Sequence, residues 1–93
     1  VAVDPIFAYP YNGLGNALRS LGRKEEAIEA YRQAIAVDPK YAYPYNGLGN
    51  ALSDLGRKEE AIEAYRQFID LADKKNKDYW IKRAQRRIVE LKK

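Results

Sequence analysis

Apolar side chains recur along this chain at helical intervals, and the intervals themselves recur. Tyr11, Leu14, Gly15, Leu18 and Leu21 fall at i, i+3, i+4, i+7 and i+10, which places them on one side of a helix. Ala27, Ile28, Tyr31, Ala34 and Ile35 form a second stripe of the same kind. Glu25 and Glu26 stand in its first turn, where the helix dipole favours negative charge. Pro10 opens the first helix, because its missing N–H is an orphan at the first turn in any case. Gly22 closes it, in the left-handed conformation that glycine adopts without penalty. Asp38-Pro39 ends the second, since proline disfavours helix at the residue before it and cannot continue the ladder. The pattern predicts two antiparallel helices joined by a short turn.

That unit returns almost unchanged. Val3 to Ala36 reappears as Val37 to Asp70, a period of 34 residues. The copies differ only at Ile6/Lys40, Phe7/Tyr41, Arg19/Ser53, Ser20/Asp54, Ala34/Phe68 and Ala36/Asp70, leaving 28 identical positions. A fixed period of this length predicts a stacked-repeat solenoid. Each unit buries its apolar face on a neighbour, and the stack presents an extended surface. The second copy repeats the helical stripes at Tyr45 to Leu55 and Ala61 to Ile69. No third copy follows. Leu71-Ala72-Asp73-Lys74-Lys75 replaces the Val-Asp-Pro signal, and the stripe resumes as Ile81, Ala84, Ile88 and Leu91. These fit Tyr45, Leu48, Leu52 and Leu55 at an offset of 36 residues, as if two residues were inserted. They predict one capping helix that covers the second repeat, shows Lys82, Arg86 and Glu90 to water, and uses Trp80 to seal the junction.

Tyr11, Leu14, Gly15, Leu18, Ala27, Tyr31, Ala34 and Pro39 resemble the signature of the tetratricopeptide repeat. The resemblance covers residues 8–75 as two units, 8–41 and 42–75, with a capping helix over 76–93, all within a single domain, 1–93. It implies an all-α, right-handed superhelical solenoid of antiparallel helix pairs. It further implies a non-enzymatic scaffold, whose first helices line a concave groove that commonly binds peptides. In carboxylate-binding members of the family, an asparagine equivalent to Asn16 acts with a lysine one turn earlier. Asn12 occupies that earlier position here, so the charged half of such a clamp is missing.

Composition narrows the chemistry further. The 93 residues include no cysteine and no histidine. This excludes disulfides and thiolate zinc sites, and it removes the commonest general base and metal ligand. No nucleophile with a base can be assembled, so the reading is not an enzyme, with no cofactor and no metal. No apolar run approaches the roughly 18 residues of a membrane span, and Val1 to Pro10 lacks a basic start followed by a hydrophobic stretch. The expectation is a soluble, reducing, cytoplasmic setting without a membrane partner.

The net charge of +4 is unevenly placed: residues 71–93 carry +6 and the first seventy residues −2. Such asymmetry suits an acidic partner, a nucleic acid or simply a solvated helix. No base-reading motif is present, so nucleic acid ranks last.

The candidate binding surface follows from helix geometry. The side of each first helix away from its paired helix carries Tyr9, Asn12, Asn16 and Arg19, then Tyr43, Asn46, Asn50 and Ser53. Asparagine offers donors and an acceptor, which suits an extended peptide backbone without demanding a side-chain sequence. In the shifted register of the last helix, Lys82, Arg83 and Arg86 supply positive charge. The expected ligand is an extended acidic peptide, or one ending in a free carboxylate.

Gly13 and Gly47 add a second glycine to helices that already hold Gly15 and Gly49, at a cost of about 0.5–1 kcal/mol each. Either a tight contact with an adjacent helix or floor space in the groove accounts for them. Tyr9-Pro10-Tyr11 with Phe7, and Tyr43-Pro44-Tyr45 with Tyr41, form aromatic clusters expected to pack between units. Val1-Ala2-Val3-Asp4-Pro5 copies Ile35-Ala36-Val37-Asp38-Pro39 apart from its first residue, like the end of a helix whose remainder is absent. An uncapped first repeat would expose Leu14 and Leu18, and a homo-oligomer formed through that end is the expectation. The near-identity of the copies fits recent amplification or deliberate consensus design, so a purely structural, self-associating repeat is the alternative function.

Overall fold

The computed structural model describes residues 5–72 and 74–93. A 3-10 turn, Pro5–Phe7, leads into α1 (Ala8–Ser20), and α2 (Lys24–Val37), α3 (Tyr43–Asp54), α4 (Lys58–Leu71) and α5 (Lys74–Leu91) follow. Among the described residues there is no strand. α1 packs on α2 and α3 on α4, while α2 stacks on α3 and α4 on α5. The fold is an all-α helical repeat. Val1 to Asp4, whose sequence reads as the end of an absent helix, lie outside the described residues.

The turns inside each pair are set by glycine. Gly22 has φ +80° and Gly56 φ +76°, the left-handed region that side chains rarely adopt. Around Gly22 the Arg23 N–H donates to Leu18 O at 2.9 Å and the Gly22 N–H to Arg19 O at 3.0 Å. Arg57 to Leu52 and Gly56 to Ser53 repeat the pair at 3.0 Å each. These nested bonds satisfy the last carbonyls of α1 and α3 and reverse the chain tightly. α2 stops where Asp38 turns extended, at φ −142°, before Pro39. α1 begins at Ala8, two residues before Pro10, which still falls within the first turn, where no N–H is needed. Pro44 is the second residue of α3.

The core is built on two tyrosines. Tyr31 and Tyr65 are the largest side chains fully buried, with Phe68. A Cβ added to Gly15 would lie 2.6 Å from Tyr31 Cε1, and one added to Gly47 would lie 2.5 Å from Tyr31 Cζ. The Tyr31 ring therefore rests against the helix paired with its own and against the first helix of the next unit at once. Tyr65 meets Gly49 in the same way, 2.8 Å from the added Cβ. Gly47 is thus an inter-repeat contact. Gly13, its counterpart in the first repeat, would meet nothing within 4 Å. The same asymmetry marks the neighbouring leucines: Leu48 is 9% exposed and Leu14 48%.

Some differences between the copies now have reasons. Arg19 of α1 pairs with Asp54 of α3 at 2.9 Å, so the Arg19/Ser53 and Ser20/Asp54 exchanges build one bond between units. In the last interface the polarity reverses: Arg87 of α5 donates to Ser53 Oγ at 2.6 Å. Phe68, in the place of Ala34, joins the apolar cluster with Ile81, Ala84 and Ile88.

α5 reaches α3 through Arg87, which donates to Ser53 Oγ, and it buries Ile81, Ala84 and Ile88. Lys82 and Gln85 on the same helix are exposed.

The glycine asymmetry generates a test by chemical denaturation. Gly47→Ala drives a methyl into a buried ring and should destabilise by about 1–3 kcal/mol. Gly13→Ala meets open space in a helix interior and should stabilise by about 0.5–1 kcal/mol. Equal effects at the two positions would contradict the packing described.

Candidate peptide-binding groove

α1, α3 and α5 present one face together, and the space along it is a groove of about 450 Å³. α1 contributes Asn12, Asn16 and Arg19, and α3 contributes Tyr43, Asn46, Gly47 and Asn50. α5 adds Tyr79, Trp80 and Arg83, with Tyr31 reaching in from α2. Of the residues that spacing assigned to binding, Asn12, Asn16, Arg19, Tyr43, Asn46, Asn50 and Arg83 meet here. Tyr9, Lys82 and Arg86 do not line it. Tyr9 lies edge-on to Tyr41 at 5.0 Å, and Tyr41 to Tyr43 at 5.8 Å, an aromatic row that crosses from the first repeat to the second. Lys82 is exposed and pairs with Asp78 one turn back, at 3.1 Å. Arg86 is exposed to solvent.

Trp80 departs from its expected role. It is 39% exposed, stands edge-on to Tyr79 at 5.1 Å and lines the groove, so it does not seal the junction. The apolar stripe alone could not reveal this, because spacings of three and four residues fit several offsets.

The polar lining is ordered by the buried tyrosines. Tyr31 donates its O–H to Asn16 Oδ1 at 2.6 Å, and Tyr65 donates to Asn50 Oδ1 at 2.5 Å. The Asn12 amide nitrogen makes a long contact with the Tyr41 hydroxyl at 3.5 Å. Three buried side-chain atoms among the described residues have no hydrogen-bond partner: Asn12 Oδ1, Asn46 Oδ1 and Arg83 Nη1. All three belong to the groove lining. Leaving such a group unpaired in a buried setting costs about 1–3 kcal/mol. No described group of carboxylates could hold a metal ion, and no described helix is long and apolar enough to cross a membrane.

A family model for the TPR repeat matches residues 15–56, and one for the tetratricopeptide repeat matches residues 42–75. The chain belongs to the tetratricopeptide repeat family. No curated protein matches it. TPR repeats generally serve as protein–protein interaction modules, and the groove of this TPR chain lies along the first helices of its pairs.

Burial pushes the Tyr31 phenol above its ordinary value of 10.0, with Arg19 pulling it down and Asp54 pushing it up more weakly. Burial raises Tyr65 too, partly offset by a hydrogen bond from Arg87. Both phenols are therefore neutral donors at physiological pH. Above about pH 10 the unfolded chain releases these protons while the folded chain still holds them, so stability falls as pH rises further. Denaturation midpoints should be level from pH 7 to about 9.5 and drop beyond, less steeply in Tyr31→Phe/Tyr65→Phe. A midpoint that rises above pH 10 would contradict this.

Proposed function

We propose that this chain is a protein-interaction scaffold whose groove binds an extended peptide, with an acidic group or free carboxylate directed at Arg83. The observation that carries the reading is the set of orphaned groups. Asn12 and Asn46 hold unused acceptors, Arg83 holds an unused charged donor, and all line one groove. A peptide main chain supplies N–H donors for the first two and a carboxylate supplies the acceptor for the third. Tyr43, Tyr79 and Trp80 add aromatic walls, which suit apolar side chains flanking the acidic group. Arg19, the other cation of the lining, is already engaged by Asp54 at 2.9 Å, so affinity is modest and falls with salt. Self-association belongs to the same reading. Phe7, Leu14 and Leu21 are exposed at the α1 end, and apolar surface of that kind pairs readily with a second copy.

An alternating glutamate–alanine peptide with a free carboxylate end, followed by NMR, provides the probe. Arg83→Gln should weaken its binding by about tenfold or more, as loss of one shielded charge-assisted hydrogen bond does. Lys82→Gln removes the same charge at an exposed site and should change affinity less than about twofold. Equal losses from the two variants would show that net charge, and not the groove, attracts the peptide.

A further inference from the structure

The asparagine pairs in the groove are alike in sequence but not in bonding, and the difference lies in what stands behind them. Asn16 and Asn50 each accept a hydrogen bond from a buried tyrosine, at 2.6 Å and 2.5 Å. An amide whose oxygen is held from behind must turn its NH2 the other way, and both residues line the groove. Asn12 and Asn46 have no such partner on their oxygens, which are buried and unpaired. Asn46 is itself only 9% exposed. Each repeat thus sets one donor amide and one free acceptor four residues apart on the same helix, Asn16 with Asn12 and Asn50 with Asn46.

The tyrosines can hold this arrangement because they cannot move. The Tyr31 ring is wedged against Gly15 and Gly47, and the Tyr65 ring against Gly49, at distances where even a methyl would collide. The hydroxyl is therefore delivered to a fixed point behind each asparagine. Phenylalanine would fill the same space and leave the amide free to rotate.

We infer that Tyr31 and Tyr65 are positioning residues for the groove. Through Asn16 and Asn50 they fix the donor half of a donor–acceptor pair that reads the main chain of an extended peptide, one ligand residue per repeat. In an extended strand a single residue turns its N–H and its C=O to the same side, as it does in an antiparallel ladder. Its C=O meets the Asn16 or Asn50 amide and its N–H meets the Asn12 or Asn46 oxygen. A helical ligand has spent both groups internally and is not read. Selectivity for ligand sequence then falls to Arg83 and the aromatic residues of α5.

This inference rests on the peptide-binding reading of the groove, and the test separates the two. Binding of the glutamate–alanine peptide is measured for the wild type, Tyr31→Phe/Tyr65→Phe, Asn16→Ala/Asn50→Ala and the combination of all four substitutions. The tyrosine variant should keep its helical circular dichroism and lose about tenfold in affinity, the loss that two ordinary hydrogen bonds of this kind account for. Added to the asparagine variant, the same change should cost nothing more, because tyrosine acts only through the amide. A structural role for tyrosine would instead lower affinity equally in both backgrounds, and that result overturns the inference.

The peptide-free protein gives an independent readout. The side-chain amide signals of Asn16 and Asn50 should shift in the tyrosine variant while those of Asn12 and Asn46 stay, and unmoved Asn16 and Asn50 signals would overturn the inference without any ligand. If the probe fails to perturb groove signals in the wild type, the peptide reading fails. If it binds the wild type and the tyrosine variant equally, only the positioning role fails.

Discussion

A single aromatic ring resting on two glycines ties this molecule together. Tyr31 sits on α2, yet the atoms it touches belong to Gly15 of α1 and Gly47 of α3, so one side chain closes the contact within a helix pair and the contact between pairs. Glycine at those positions sacrifices helix propensity, about 0.5–1 kcal/mol each. The sacrifice lets a bulky ring enter where no Cβ can stand, and dispersion contacts over a buried tyrosine outweigh it. Because the ring spans both interfaces, stacking order, the angle of α3 against α1 and the width of the groove all depend on it.

The same ring links stability to recognition. Its hydrocarbon body fills the core, while its hydroxyl surfaces at the groove and bonds Asn16. Tyr65 repeats the device one unit later, but α5 carries no glycine to receive the ring's other side. There the hydroxyl is neighboured by Arg87, which also holds Ser53 and Glu90. The second interface therefore lacks the glycine-keyed ring contact of the first and gains Phe68, Ile81, Ala84 and Ile88 instead. α5 packs Ile81, Ala84 and Ile88 into the cluster around Phe68 and leaves Lys82 and Gln85 exposed.

Much of the fold was legible in the residue pattern, because its signals are local. The 34-residue period, the glycines that end α1 and α3 and the proline after α2 each act within a few residues of where they stand. The groove asparagines were legible for the same reason, since i and i+4 share a helix face. What α5 meets across its interface was not. Its stripe of Ile81, Ala84, Ile88 and Leu91 marks the apolar face, but the reach of Arg87 to Ser53 depends on two helices meeting. Lys82 and Arg86 carry the expected charge but lie outside the lining, while Tyr79 and Trp80 line it although charge and spacing did not single them out. Tyr31 was legible as core, but its hydroxyl bond to Asn16 depends on two helices meeting, which no spacing within one helix reports.

A double-mutant cycle on folding stability addresses the wedge most directly, with Gly47→Ala and Tyr31→Leu made singly and together and unfolded in urea. If the ring is what a methyl at position 47 strikes, removing the ring frees that methyl. The double variant should then be more stable than the sum of the two single losses predicts, by about 1 kcal/mol or more. Strict additivity would mean that Tyr31 and Gly47 do not bear on one another, and the account of how these repeats are joined would be wrong.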